Sequence, residues 1–271
     1  MKIALCLYGV VGATNGKADS PLARASLDIL NLGYEKYKSS LLNNHDVDIY
    51  IHTWSKQFEK EILNLYKPKK HLIEQQEIFE IPNHVIGDDS EQPKRRQGCY
   101  SRWRSTQKVL KLKSETGKKY DFTLLSRFDV GFENQIDFSH LEKDNIYLSN
   151  WVGARYENVS DIFEDGRGIY YQQKDSLDKD KIKLYGRGFP YNNEGVLDYW
   201  VLGGGESIQI LETLFENINS YQASGPIAHQ RISNHQLLLH HLRENHPVDK
   251  LGFIMNPMED HCLLRYKYFG C

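Results

Sequence analysis

The chain has 271 residues, of which 40% are hydrophobic and 26% charged, an ordinary balance for a globular protein. Its formal net charge is −2, so composition gives no reason to expect a nucleic-acid-binding protein. The length allows one large α/β domain. The four cysteines show no CxxC spacing, which excludes the common zinc-finger patterns and fits a reducing compartment: Cys6, Cys99, Cys262 and Cys271.

Two patterns bear on location. The apolar start at residues 2–8 reaches glycine and polar residues too soon for the hydrophobic region of a signal peptide. No apolar run approaches the roughly 20 residues that a helix needs to cross a bilayer. We therefore expect a cytoplasmic protein without a transmembrane segment, and peripheral contact with a membrane stays open.

The first half of the sequence alternates predicted strands with predicted helices, the pattern of a parallel sheet. Apolar and β-branched runs predict the strands, and amphipathic spacing predicts the helices. The predicted strands are 2–8, 47–54, a short one within 68–80, and 120–130. The predicted helices are 23–42, 57–66 and 100–115, and the polar residues 81–98 are predicted to form a loop.

The second half is more mixed. Strands are predicted at 145–151, 196–202 and 251–255, with a further one around 261–266, and helices at 206–219 and 232–244. Residues 157–190 are charged and rich in glycine, which favours a long active-site loop or an inserted subdomain. The fold class predicted is α/β, with a mostly parallel central sheet flanked by helices and a mixed C-terminal half, in one domain over 1–271.

The most informative stretch is the apolar run 122–125, which leads into Ser126, Arg127, Phe128 and Asp129. Ligands of open α/β sheets bind beyond the carboxyl ends of the strands. A carboxylate there is a ligand for Mg²⁺ or Mn²⁺, and a guanidinium matches the geometry of phosphate. The plainer alternative is an ion pair between Arg127 and Asp129 at the edge of a sheet.

The glycine-rich residues 9–17 are not a P-loop, because Val11 stands where its first glycine belongs and Ala18 where its hydroxyl belongs. They do not match the dinucleotide fingerprint either. We expect Tyr8 and Gly9 to line a nucleotide, since glycine allows close approach of the backbone. An ordinary turn between a strand and a helix is the alternative.

Four segments together resemble the glycosyltransferases of the GT-A fold. They are KIALCLYG (2–9), DVDIYIHTW (46–54), YDFTLLSRFDV (120–130) and DYWVLGGG (198–205), the last followed by a predicted helix. In that family an acidic DxD-type motif closes a central strand and binds a metal and the diphosphate of a sugar nucleotide. The matching residues here, 127–129, keep only the last acid. This form resembles the R-[FY]-D variant of microbial and viral surface-glycan transferases.

The resemblance implies transfer of a sugar from a nucleotide-diphosphate donor to a glycan or lipid-linked acceptor, in surface polysaccharide synthesis. It implies a nucleotide-binding half at 1–135, an acceptor-binding half at 136–271, and a divalent metal, Mn²⁺ or Mg²⁺. The metal ligands expected are Asp129 and His261, although His261 reads equally as a surface histidine in a polar turn. The donor-binding residues expected are Tyr8, Gly9, Arg127, Asp129 and Gly204.

An inverting transferase needs a general base near the acceptor hydroxyl. Asp198 and Glu194 are the candidates, because the segment 192–198 that carries them leads into a predicted strand and a glycine-rich turn. The basic residues 94–96, with Arg102 and Arg104, either steer an anionic ligand or form a solvated charged surface. Loss of one acid from the metal motif also suits a second function, a non-catalytic nucleotide- or glycan-binding protein on the same scaffold.

Overall fold

The computed structural model describes residues 1–12, 26–86, 92–149, 196–228, 231–255 and 260–269. In these residues a seven-stranded sheet has a hydrophobic core on each face, and a two-stranded ribbon lies apart from it. The predicted strands and helices of the first half are all present in the described residues. Residues 13–17 of the glycine-rich stretch and the segment 157–190 lie outside the described residues.

The strands are β1 (Lys2–Gly9), β2 (Asp46–Thr53), β3 (Lys70–Ile73), β4 (Phe122–Arg127), β5 (Val130–Phe132), β6 (Ile146–Ser149), β7 (Trp200–Gly204), β8 (Leu251–Met255) and β9 (His261–Leu263). The α-helices are α1 (Leu27–Tyr37), α2 (Glu59–Tyr66), α3 (Gln92–Ser114), α4 (Leu214–Ala223), α5 (Asn234–Asn245) and α6 (Leu264–Phe269). A π-helical segment, Lys38–Leu42, continues α1, and a 3₁₀ segment, Ser207–Thr213, precedes α4.

The order of strands in the sheet is β3-β2-β1-β4-β7-β6-β8, and β5 pairs with β9 in the ribbon. Within the sheet, β7 runs antiparallel to both of its neighbours, and the other strand pairs are parallel. The chain builds outward from β1 to β3, then returns to place β4 on the other side of β1. The strand order therefore reverses between β1 and β4, which is where open α/β sheets hold their ligands.

The central strand β1 is buried on both faces. Leu5 and Leu7 belong to the core on the side of α1, and Cys6 and Tyr8 belong to the core on the side of α3, where they join Trp103. A strand covered on both faces needs apolar residues at successive positions, which explains the nearly continuous apolar run at 2–8. Cys6 is fully buried, as a small hydrophobic side chain would be.

Several predicted boundaries were wrong. The strand predicted at 196–202 begins only at Trp200, which leaves Asp198 before it. Helix α3 begins at Gln92, so residues 92–98 are helical rather than part of a loop. That stretch lacks apolar periodicity, but glutamine, lysine and arginine are good helix formers, and proline is tolerated in a first turn. The strand expected around 261–266 ends at Leu263, where α6 begins.

The helices of the described residues include none whose length and apolar character would suit a membrane crossing.

Candidate functional site

Polar residues gather at the edge of the sheet where β1 and β4 end. Tyr8 and Arg127 are register partners on these two parallel strands, so their side chains lie on the same face. Because β7 is antiparallel, the residues that enter it reach the same edge. These residues lie at the topological switch point, where the strand order reverses between β1 and β4. We refer to the following group as the switch-point site: Tyr8, Gly9, Arg102, Arg127, Asp129, Asp198 and Arg265.

Asp129 is held by a two-point ion pair. The Nε of Arg127 donates to Oδ1 over 2.8 Å, and Nη2 donates to Oδ2 over 2.7 Å. Nη1 of Arg265 lies 3.8 Å from the same Oδ2. The carboxylate is only 1% exposed, whereas the side chain of Arg127 is 22% exposed. Of the two partners, the Arg127 side chain is therefore the more accessible to solvent, and the carboxylate is enclosed.

The backbone around Asp129 is fixed from two sides. A Cβ atom on Gly12 would lie 2.6 Å from the Cβ of Asp129, so only glycine fits there without a shift. The N–H of Leu264, at the start of α6, donates to the carbonyl oxygen of Asp129 over 2.9 Å. On the other face of β4, the Tyr37 hydroxyl donates to the carbonyl oxygen of Arg127 over 2.6 Å. These contacts place the Arg127–Asp129 pair without help from a ligand.

A second buried ion pair lies beside the first. Nη1 of Arg102 donates to Oδ2 of Asp198 over 2.7 Å, and Nη2 donates to the Asp198 carbonyl and to the Tyr8 hydroxyl over 2.6 and 2.7 Å. Nδ1 of His235 lies 3.1 Å from Oδ1 of Asp198. The guanidinium of Arg102 sits 4.1 Å from the ring centre of Trp103. Both carboxylate oxygens of Asp198 thus have partners.

These partners set the charge of Asp198. Burial alone raises the pKa of its carboxyl, but Arg102 and His235 outweigh that effect and hold the pKa well below its usual range. Burial raises the pKa of Tyr8 to about 12, so its hydroxyl stays neutral near neutral pH. A carboxylate that is stabilised in its charged form is a weak proton acceptor. The arrangement weighs against the prediction that Asp198 is a general base.

The structure brings five of the predicted site residues to one edge: Tyr8, Gly9, Arg127, Asp129 and Asp198. Gly204 is not among them, because it pairs with Phe122 at the beginning of β4, on the opposite edge of the sheet. A Cβ atom on Gly204 would lie 2.3 Å from the carbonyl of Lys143, so its glycine serves close packing there. The expected donor-binding role of Gly204 is therefore corrected by its position. Glu194 lies outside the described residues.

His261 is not on the surface. It lies fully buried in β9 opposite Phe132, and its Nε2 is 2.6 Å from Oγ of Ser149. Burial lowers its pKa to about 4, so the ring is neutral near neutral pH. In the described part of the chain, no three His, Cys, Asp or Glu side chains are grouped as a metal site would need.

A divalent cation does not fit the described residues at Asp129. Both oxygens of this carboxylate already accept hydrogen bonds from Arg127, and Arg265 adds a second positive charge. Hard cations such as Mg²⁺ and Mn²⁺ require several free oxygen ligands. The metal expected from the sequence resemblance stays a prediction that this donor set does not support.

Two features of the site were missed or misjudged. Arg102 was grouped with basic residues expected either to steer an anionic ligand or to form a solvated surface, but it is buried against Asp198. His52 was not singled out at all: its Nδ1 lies 2.6 Å from Oγ of Ser105, which accepts the N–H of Gly9 over 2.7 Å. The spacing of Arg102, Ser105 and Val109 along one helix face was the available signal.

The chain matches no protein-family model and no curated protein sequence.

Proposed function

We propose that the protein is a glycosyltransferase that moves a sugar from a nucleotide-diphosphate donor to a hydroxyl of a glycan or lipid-linked acceptor. The observation that carries the proposal is the meeting of two sequence segments at the reversal of strand order. Tyr8 and Gly9 end β1 there, and Arg127 and Asp129 end β4. Both segments belong to the resemblance to GT-A enzymes, and such an edge is the usual ligand site of an open α/β sheet.

The chemistry of the site suits a leaving group that gains negative charge. When the bond between the sugar and the diphosphate breaks, charge accumulates on the phosphate oxygens. A fixed guanidinium such as that of Arg127 stabilises this charge without rearrangement. Gly9 offers backbone without a side chain beside it, and Tyr8 offers the edge of an aromatic ring. We assign these two residues to the nucleotide side of the donor.

The acceptor belongs, in this proposal, to the half of the chain at 136–271. Glu194 remains the candidate for a general base, because Asp198 is committed to Arg102 and His235. A retaining reaction would not require that base. Surface polysaccharide synthesis at the cytoplasmic side of a membrane is part of the same proposal.

The test is a thermal-shift screen of nucleotide sugars, nucleoside monophosphates and free sugars, followed by a donor-hydrolysis assay. We expect nucleotide-diphosphate sugars to raise the melting temperature in preference to the other two classes, because a ligand that binds only the folded state stabilises it. Turnover of the stabilising donor should follow. A chain that is stabilised by none of the nucleotide sugars is not a glycosyltransferase of this type.

The matched variants are Arg127→Gln and Lys143→Gln. Loss of one transition-state donor of this kind lowers kcat by roughly 100- to 1000-fold, and we expect that for Arg127→Gln. Lys143 is an exposed lysine at the opposite edge of the sheet, paired with Asp121, and its loss should leave turnover unchanged. Equal activity of the two variants would contradict the proposal.

A second function is a non-catalytic nucleotide- or glycan-binding protein. The observation in its favour is the engagement of Asp198, which leaves the described residues of the site without a ready proton acceptor. Titration calorimetry separates the two functions when it is paired with the hydrolysis assay. Binding of a nucleotide sugar without turnover supports this second function.

A further inference from the structure

The arrangement of charge at the switch-point site is unusual for a metal-dependent diphosphate site. Three guanidiniums, of Arg102, Arg127 and Arg265, face two carboxylates, of Asp129 and Asp198. The Tyr8 hydroxyl between them stays neutral. Oδ2 of Asp129 has two guanidiniums close to it, at 2.7 and 3.8 Å. Positive charge that already lies beside the carboxylate disfavours a divalent cation there.

The two members of the Arg127–Asp129 pair differ in their exposure to solvent, and a ligand from solution contacts the more exposed one first. The side chain of Arg127 is 22% exposed, and the carboxylate of Asp129 behind it is 1% exposed. A cation would have to bind the remaining lone pairs of a carboxylate that is enclosed and already bonded to Arg127 through both oxygens. An anion that binds the outer N–H groups of Arg127 leaves both hydrogen bonds to Asp129 in place.

Arg127 has donors to spare for this role. A guanidinium carries five N–H groups, and Asp129 accepts from two of them, one on Nε and one on Nη2. The other three lie on Nη1 and Nη2, along the part of the fork turned away from the carboxylate. That geometry matches the paired oxygens of a phosphate. Asp129 thereby fixes the direction of the remaining N–H groups of Arg127.

We infer that the switch-point site binds the diphosphate of its donor through Arg127 without a divalent cation, and that Asp129 is the counter-ion that orients Arg127. This inference rests on the proposed function, since it names the way the same donor is held. It replaces the metal that the sequence resemblance implies by a side chain of this protein. The charge that develops on the leaving diphosphate would then be stabilised in part by the guanidinium of Arg127.

The experiment is calorimetric titration of the four common nucleoside diphosphates, first in excess EDTA and then in excess Mn²⁺. We expect at least one to bind with the same affinity in both conditions. Charge-assisted hydrogen bonds are strong, so Arg127→Gln should weaken that binding by about 10- to 100-fold. Lys143→Gln, at the far edge, is the matched control.

Asp129→Asn separates binding of the diphosphate through Arg127 from binding through a metal on Asp129, because the two predict opposite changes in affinity. The amide oxygen of the new side chain still accepts one N–H of Arg127 and keeps its orientation, while loss of the negative charge ends the repulsion of phosphate, so we expect binding to become several-fold tighter and to remain insensitive to EDTA. If Asp129 were a metal ligand, the same change would abolish binding.

A double variant keeps the test valid if Arg127→Gln does not fold. Arg127→Gln leaves the buried charge of Asp129 without its main partner, which is strongly destabilising. The double variant Arg127→Gln/Asp129→Asn removes both charges at nearly constant shape, and it should fold and still bind weakly. Binding that requires Mn²⁺, or that is lost in Asp129→Asn, overturns this inference and leaves the proposed function standing. Absence of nucleotide binding in both conditions overturns both.

Discussion

At the residue scale, Gly9 is held by contacts from two neighbouring elements. Its N–H donates to Oγ of Ser105 on α3, and its carbonyl oxygen accepts the N–H of Trp54 after β2. Nε2 of His52 lies 3.1 Å from Oε1 of Glu74, so a neutral ring donates there and accepts the Ser105 hydroxyl at Nδ1. Gly9 has φ of +90°, a conformation that suits glycine. A short chain of hydrogen bonds thus fixes the backbone at the end of β1.

Ser105→Ala tests this chain. The change leaves the buried N–H of Gly9 without its acceptor and the Nδ1 of His52 without its donor, which should lower the free energy of unfolding by about 1–3 kcal/mol. Urea denaturation measures it. Ser114→Ala is the control, because Ser114 is an exposed serine of the same helix and bonds only to the Lys111 carbonyl. Similar losses in the two variants would show that Ser105 has no special role.

At the scale of elements, α1 lies unusually close to the turn that follows β4. A Cβ atom on Gly33, inside the helix, would lie 2.3 Å from the carbonyl oxygen of Phe128. Real Cβ atoms do not come so near to a backbone oxygen. The helix therefore supports the residue directly before Asp129, and the position of the Arg127–Asp129 pair depends on this contact.

Gly33→Ala should reveal that dependence. In an ordinary helix interior this change is stabilising by roughly 0.5–1 kcal/mol. Here we expect a loss of about 1–3 kcal/mol, because the added methyl group overpacks the contact. Chemical denaturation gives the sign. Asn31→Ala, at an exposed position of the same helix, should be neutral or slightly stabilising, and a gain of stability in Gly33→Ala would show that the contact yields easily.

At the scale of the whole molecule, stability depends on pH through His52, which is buried where β1, β2 and α3 meet. Burial lowers its pKa from 6.5 to about 4, although Glu74 opposes the shift. The unfolded chain therefore takes up a proton near pH 6.5, whereas the folded protein does not until about pH 4. The contribution of the neutral ring to stability is complete above that window and is lost as the pH falls through it.

We expect the free energy of unfolding to fall between pH 7 and pH 4 by up to about 3 kcal/mol on account of this histidine. Urea denaturation at a series of pH values measures the slope. His52→Gln should make it shallower without removing it, because the buried His261 has a similarly lowered pKa, and His71→Gln, at an exposed position, should leave it unchanged. A slope that is the same in both variants would assign the pH dependence to other groups.

Much of the architecture followed from sequence patterns, since apolar runs and helical spacing are local signals. Arg127 and Asp129 were predicted at the carboxyl end of a strand, and the structure places them there, at the end of β4. That a ligand binds at this position stays a prediction. The pairing of Arg102 with Asp198 joins residues 96 positions apart, which no local pattern encodes. Gly204 was misplaced because the direction of β7 in the sheet is a property of the whole fold.

Because β7 runs antiparallel to its neighbours, its first and last residues lie at opposite ends of the sheet, which helps in choosing an attachment point. The stretch entering β7, which carries Asp198, lies at the end of the sheet that holds the switch-point site, and the stretch leaving it, at Gly205, lies at the far end together with Lys143. A thiol introduced by Lys143→Cys would tether the protein to a sensor surface or carry a fluorophore at that far end. The switch-point site, where the proposed donor would bind, would then stay open to the solution, whereas a tether at residues 196–199 would block it.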